Sequence, residues 1–297
     1  MKKVVIAGAG HAAGQLVASL RQKKFAGQIT LIGEEKWFPY QRPPLSKKFL
    51  AGEMPAERLY FKPGSFYDDP NIDVHLETRI TAIDRSARAA KTDDGQTFGY
   101  DYLVMATGSR PRELGLPGDK LPGIHYLRGI DDVNRIRADI ENHRRIVIIG
   151  AGYIGLEVAA VTAQLGLNVT VVEMEQRVMS RVVSEELSQF YQDVHSANGV
   201  ALKLATGVAG FTGESRVDTV ILDDGEKLAA DIVVAGIGIV PNTELASDAG
   251  LEVTNGIVVN DHCQTADPSI FAIGDCTWHP NAVLATHLRL ESVHNAL

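Results

Sequence analysis

The chain has 297 residues, enough for two domains that each bury a core, and its 45% hydrophobic and 22% charged content is ordinary for a globular protein. A net charge of −8 argues against a nucleic-acid partner, because phosphate contacts need a basic face, and no run of 18 apolar residues offers a membrane span. The two cysteines, Cys263 and Cys276, lack C-x-x-C spacing, so neither a disulfide framework nor a zinc site is expected. A strand begins almost at the first residue and leaves no room for a signal peptide; the expected compartment is a reducing cytoplasm.

In chain order, Val4-Val5-Ile6-Ala7 is an apolar run short enough for a buried strand, and it leads into Gly8-Ala9-Gly10-His11-Ala12-Ala13. A helix is predicted over about 12–24, then a strand over 29–32 closed by the acid Glu34, with Glu35 as the alternative. Pro39, Pro43 and Pro44 break the next stretch into a loop, with a helix near 45–50. Hairpin-like strands are expected over 74–76, 80–84 and 89–92, an Asp94-Gly95 turn follows, and the chain resumes at Thr97. Residues 102–108 read as a buried strand ending in a glycine turn.

The plan then repeats after about 140 residues. Ile146-Val147-Ile148-Ile149 runs into Gly150-Ala151-Gly152-Tyr153-Ile154-Gly155, a helix reaches to about 166, and a strand over 169–173 ends in Glu173. A helix is predicted over 184–199, a turn at Asp223-Asp224-Gly225, and a strand over 232–238 that mirrors 102–108. Residues 269–275 give one further strand with an acid at its end. One strand is not a domain, so it is expected to rejoin the first sheet, which divides the chain into 1–109, an inserted 110–240, and 241–297.

Strand, G-x-G-x-x-G/A, helix, strand and acid together form the βαβ dinucleotide fingerprint. Gly8 and Gly150 permit the tight turn, Gly10 and Gly152 let backbone approach a pyrophosphate, and Ala13 and Gly155 let helix and strand pack closely. Each helix start then offers N–H groups and a positive dipole end to phosphate. Two such units imply two dinucleotides, most simply a flavin and the nicotinamide that reduces it. Glu173 is placed to hold both ribose hydroxyls and repel a 2′-phosphate, favouring NADH over NADPH, although Arg177 and Arg181 lie just beyond it. The nine histidines show no ligand spacing and no G-x-S-x-G elbow exists, so neither a metal nor hydrolase chemistry is expected.

The two glycine loops, Ala106-Thr107-Gly108, and Thr265 through Ile273-Gly274-Asp275 resemble the FAD-dependent pyridine-nucleotide oxidoreductases of the glutathione reductase fold. Pro39-Tyr40-Gln41-Arg42-Pro43-Pro44-Leu45-Ser46-Lys47 and Leu288-Arg289-Leu290-Glu291-Ser292-Val293 are similar to the ferredoxin reductases of P450 and dioxygenase systems. The resemblance implies an α/β protein with two Rossmann-like domains, the NAD domain (110–240) inserted into the FAD domain (1–109 and 241–297). It assigns to FAD the residues Gly8, Gly10, His11, Ala12, Ala13, Glu34, Arg42, Lys47, Ile80, Ala106, Thr107, Gly108, Arg128, Gly274, Asp275, Glu291, Ser292 and Val293. It assigns to NADH Gly150, Gly152, Tyr153, Ile154, Gly155, Glu157, Glu173, Arg181, Gly236, Ile237 and Gly238. Lys47 is implied to lie beside the flavin ring, with Glu157 facing it from the second domain and holding its ammonium in place.

Two departures from the family pattern matter. No C-x4-C pair is present, which disfavours disulfide-reductase chemistry and implies a one-electron outlet, a [2Fe–2S] ferredoxin feeding a cytochrome P450 or dioxygenase. Ferredoxin reductases of this type also continue for roughly another 100 residues, a further domain of ordinary size, so the chain reads as a portion of a longer protein that stops within a helix after Val293. A rubredoxin reductase or other NADH:acceptor flavoprotein, an apoptosis-inducing-factor-like NADH-responsive binding protein, and a cofactor-binding piece without turnover remain open at this point.

Overall fold

The computed structural model describes residues 1–296 and divides into two compact units. The first comprises Met1–Gln41, Leu59–Arg110 and the chain from Val240 onward; the second comprises Arg42–Arg58 and Pro111–Ile239.

The first unit is built on a five-stranded parallel sheet in the order Ile270–Ala272, Tyr102–Met105, Lys3–Ala7, Gln28–Ile32, Ile72–His75. Because side chains alternate along a strand, Val4 and Ile6 face one side and Val5 and Ala7 the other, and all four are buried. The Val4/Ile6 face packs against Ala13 and Val17 of the helix His11–Gln22. The Val5/Ala7 face packs with Ala90, Tyr100, Ala246 and Leu251, and Ala90 belongs to an antiparallel meander of Ile80–Asp84, Ala89–Thr92 and Thr97–Gly99.

Of the expected hairpin-like strands, those over 80–84, 89–92 and from Thr97 form this meander, but the one at 74–76 does not join them. Ile72–His75 is the parallel edge strand of the main sheet, with Val74 beside Leu31. The residues after it do not turn back on themselves: Glu77 takes a left-handed φ of 52°, and its N–H bonds the Glu35 carbonyl. Pairing with the buried sheet covers Ile72, which a free hairpin would leave exposed.

The second unit repeats the architecture, with parallel order Ala201–Lys203, Asn168–Val172, Arg145–Ile149, Ile232–Ala235, Ile124–Tyr126. Helices Tyr153–Gln164, Ile130–Asn142 and Glu185–Ala197 accompany it. A second meander of Val208–Thr212, Thr219–Leu222 and Lys227–Ala229 places Phe211, Val220 and Leu222 in a core with Val147, Ile149 and Val233. The duplication extends to single hydrogen bonds: Gly8 N donates to Ile32 O at 2.7 Å and Gly150 N to Val172 O at 2.8 Å. Ala106 N likewise donates to Ala7 O, and Gly236 N to Ile149 O, both at 2.8 Å.

One boundary differs from the sequence expectation. Arg42–Arg58 lies within the stretch expected to belong to the first domain, yet it groups with the second unit. Its buried Leu45, Phe49 and Leu50 give it an apolar side, Arg137 covers the Phe49 ring at 6.0 Å, and Arg42 Nη1 donates to the Arg128 carbonyl at 2.6 Å. The helix expected near 45–50 is a single wide turn, Leu45–Phe49, interrupted at Lys47 (φ −123°, ψ −114°). The helix expected beyond Val293 is a short tight turn, His294–Ala296. Among the described residues no helix is long and apolar enough to cross a membrane.

Candidate functional site

Helix starts ordinarily carry a side-chain cap or an acid, because the first N–H groups have no partner within the helix. Among the described residues, two of the four long helices follow that rule. Ile130–Asn142 is closed by Asp132, whose carboxylate accepts from Arg128 N at 2.9 Å and Gly129 N at 2.8 Å, and Glu185–Ala197 has Ser184 as its cap with Glu185 and Glu186 in the first turn. His11–Gln22 and Tyr153–Gln164 break it: each begins after a glycine, with no capping side chain and no acid in its first turn. These are the two helices behind the glycine loops. Their starts suit an external anion in a way the other two do not.

In the first unit, Gly8 has φ 111°, and a Cβ there would stand 2.3 Å from the Ala106 carbonyl oxygen, so only glycine fits this turn. Gly274 packs close to the helix start; a Cβ on it would lie 3.0 Å from Ala12 Cβ. The fold thus brings Gly8, Ala12, Ala106 and Gly274 together from three distant stretches of sequence. Asp275 accepts from Ser109 Oγ at 3.0 Å, and Thr107 Oγ1 donates to the Asn242 carbonyl at 2.6 Å while Asn242 Nδ2 donates back to Thr107 O at 2.9 Å. Neither Ser109 nor Asn242 sits in a recognisable sequence spacing, so the sequence carries no signal for them. Ile80 is buried at the start of its strand, whereas Glu291 and Ser292 are exposed, Glu291 pairing with Arg289 at 2.6 Å.

The acid of the first unit does not stand where the repeat would put it. Glu173 N donates to Lys203 O just as Gly33 N donates to His75 O, so the counterpart of Glu173 is Gly33. A side chain at Gly33 would meet Ala9 Cβ at 2.3 Å. Glu34, one residue later, is two-thirds exposed and pairs with Arg79 at 3.3 Å; Glu35 is half-buried and accepts from Tyr40 Oη at 2.6 Å.

In the second unit the glycine loop is closely packed in the same way. A Cβ at Gly150 (φ 99°) would lie 2.6 Å from Gly236 O, and one at Gly155 would lie 2.0 Å from Gly150 O. A Cβ at Gly152 would meet nothing within 4 Å, so the space beside it is open. Tyr153 and Ile154 are exposed beside it, and Gly238 ends the neighbouring turn with φ 103°. Glu173 accepts from Ala151 N at 2.6 Å and from Glu175 N at 3.0 Å, which orients its carboxylate at the strand end. Arg177 is engaged by its own loop and the following helix, donating to Val183 O, Ser180 O and Ser188 Oγ at 2.6–3.0 Å, whereas Arg181 is exposed.

Also in the second unit, Lys47 Nζ lies 2.7 Å from Glu157 Oε2 and donates to Pro43 O at 3.1 Å. Ser46, almost fully buried, donates its hydroxyl to the same Oε2 at 2.5 Å. Lys47 and Glu157 keep 48% and 29% of their side-chain surface exposed. An exposed pair is worth only about 0–1 kcal/mol, while ordering a lysine or glutamate side chain costs about 1.5–2 kcal/mol. A hydrogen bond to a charged group contributes about 1.5–3 kcal/mol, so the serine decides whether this pair is fixed. In the sequence this serine falls in the helix expected near 45–50 and in the ferredoxin-reductase-like stretch 39–47, which give it no role of its own.

A sequence profile described as pyridine nucleotide-disulphide oxidoreductase matches residues 2–297. The chain is a member of that family. Rhodocoxin reductase from Rhodococcus erythropolis is 43% identical over 295 residues, covering 99% of this chain and 69% of that protein. Rubredoxin-NAD(+) reductase from Pseudomonas putida is 41% identical over 295 residues, covering 99% of this chain and 77% of its own length. The crystal structure of a covalent putidaredoxin reductase–putidaredoxin complex superposes with a TM-score of 0.96 at 42% identity, over 99% of this chain and 72% of the other. The two cysteines form no closely spaced pair, and Cys276 is fully buried in the first-unit core.

Proposed function

We propose that this chain is an NADH-dependent, FAD-containing ferredoxin reductase of the cytoplasm, delivering electrons to a [2Fe–2S] ferredoxin that serves a cytochrome P450 or dioxygenase. The observation that carries the reading is the pair of uncapped helix starts, each behind a glycine loop on the same hydrogen-bonded frame. When bound, a flavin accepts a hydride from a nicotinamide and releases the two electrons singly; the protein supplies binding, orientation and charge.

The first unit is assigned FAD. Gly8 and Gly10 would admit the pyrophosphate to the start of the first helix, Asp275 would accept from a ribityl hydroxyl, and Glu34 or Glu35 would take the ribose. The second unit is assigned NADH. Gly150, Gly152 and Gly155 shape the phosphate cradle, and Glu173, oriented by two backbone N–H groups, presents a negative charge that repels a 2′-phosphate. By the resemblance Lys47 would supply an ammonium that favours an electron-rich reduced flavin by Coulomb attraction, and Glu157 would hold that ammonium in place. The lack of a redox cysteine pair supports a one-electron acceptor, as does the likeness to reductases named for small iron–sulfur and rubredoxin partners.

Anaerobic stopped flow tests this directly. NADH is expected to bleach the visible band of the bound flavin faster than NADPH does, and an added [2Fe–2S] ferredoxin is expected to restore it. Recovery with rubredoxin but not with ferredoxin would reassign the acceptor. A bound flavin that NADH leaves oxidised would end the reading.

A further inference from the structure

We infer that Ser46 is a positioning residue, whose buried hydroxyl turns the Lys47–Glu157 pair from a fluctuating surface contact into a fixed arrangement of charge; its consequence for the reaction rests on the role proposed above for that pair. Three observations lead here. The hydroxyl and the ammonium converge on one oxygen, Glu157 Oε2, at 2.5 and 2.7 Å. The two donors are unequal, since Lys47 reaches from a long, half-exposed side chain while Ser46 is 4% exposed with a single side-chain torsion to order. The turn that carries Ser46 is itself anchored, for Leu45 and Phe49 on either side are buried at 1% and 3% exposure. Ser46 is therefore a rigid reference point, and Glu157, on the helix behind the second glycine loop, is held against it.

Exposed ion pairs and buried hydrogen bonds respond differently to salt. The screening length falls from about 10 Å at 0.1 M to about 3 Å at 1 M, which weakens the former and leaves the latter. With Ser46 present, the surroundings of Lys47 should not change with ionic strength; without it, they should.

The first measurement needs no nucleotide or flavin chemistry. Lysines of the intact protein are acylated competitively in low and high salt, and peptide mass spectrometry gives the labelling of Lys47 relative to neighbouring Lys48. Ser46→Ala is expected to raise that ratio about threefold, further at high salt, as befits a pair held only by surface attraction. Ser46→Thr, which keeps the hydroxyl, is expected to return it to the wild-type value at both salt concentrations. The second measurement is flavin reduction by NADH. Ser46→Ala is expected to slow the limiting rate about tenfold, the loss matching one hydrogen bond to a charged group, with the NADH dissociation constant within about twofold of wild type. In a Glu157→Gln background the serine change should add less than about twofold, because its effect travels through that carboxylate.

Lys47 labelling identical in wild type and Ser46→Ala at both salt concentrations would overturn the inference, and so would a rate effect undiminished in Glu157→Gln. If labelling follows expectation but NADH fails to reduce the flavin of the wild-type protein, the positioning role of Ser46 stands and the proposed function falls.

Discussion

A methyl group at Gly152 would touch nothing within 4 Å, and its backbone φ of −80° is open to any residue; the same methyl at Gly155 would lie 2.0 Å from the Gly150 carbonyl oxygen. Two glycines three residues apart therefore do different jobs. Gly155→Ala must push the helix from the strand and is expected to cost about 1–3 kcal/mol, lowering the melting temperature by several degrees. Gly152→Ala is expected to leave the melting temperature within about 2 °C and to weaken NADH binding about tenfold or more, because it fills the space where backbone meets pyrophosphate. Thermal unfolding and an NADH titration of both variants check the pair. A Gly152→Ala protein that binds NADH like wild type would remove the loop from the nucleotide site. The positions of the glycines and of Glu173 are legible in the sequence because they depend on backbone turns and on the end of a strand. The acid of the first loop was harder to place, since Ala9 occupies the space that a side chain at Gly33 would need, and spacing alone does not reveal that contact. Ser46 was not legible at all, for its meaning comes from Glu157, 111 residues away.

Parallel strands are joined by long crossovers, so nothing local holds their first residues in register. In the second unit a clasp does this. Asp231, just before the strand Ile232–Ala235, binds the Arg145 guanidinium at the head of Arg145–Ile149 and also accepts from the backbone N–H groups of Arg144 and Arg145. The guanidinium, foremost, and those N–H groups hold the Asp231 carboxyl well below the usual carboxylate range, against a partial opposing effect of burial. A carboxyl depressed in the folded state stabilises the fold fully above its unfolded value of about 3.9, and that stability is lost as pH falls towards the folded value. The pair is partly exposed, so the contribution is about 1 kcal/mol. Asp231→Asn is expected to lower stability by that amount from pH 5 to 8 and to converge on wild type well below pH 4, as denaturant unfolding at several pH values would register. A constant deficit down to pH 2 would mean that the clasp acts by shape and not by charge. The strands themselves were readable as apolar runs. The edge strand Ile72–His75 is not legible as such, because a short apolar run does not disclose its partner, and here burial of Ile72 against the sheet prevails over local turn chemistry.

At the scale of the whole molecule, duplication and insertion are evident from the repeated motif, but ownership of Arg42–Arg58 is not. Sequence proximity puts the segment with the first unit, whereas its buried Leu45, Phe49 and Leu50 and its bonds to Arg128 and Glu157 group it with the second. Chain segments that share a core open together, so the segment's stability should follow that of the sheet it packs with. Ile232 is fully buried in the second sheet, and truncating such a side chain to alanine costs about 2–5 kcal/mol. Hydrogen exchange followed by mass spectrometry on Ile232→Ala is expected to speed exchange throughout 111–239 and equally across 42–58, while Lys3–Ala7, Gln28–Ile32 and Tyr102–Met105 keep their wild-type protection. Should 42–58 hold its protection along with those first-unit strands, the segment belongs energetically to the first unit and Lys47 is not mounted where the hydrogen bonds put it. Should it follow the second sheet, the ammonium of Lys47 and the glycine loop at Gly150 share one cooperative unit, and a variant that loosens either will be felt at the other.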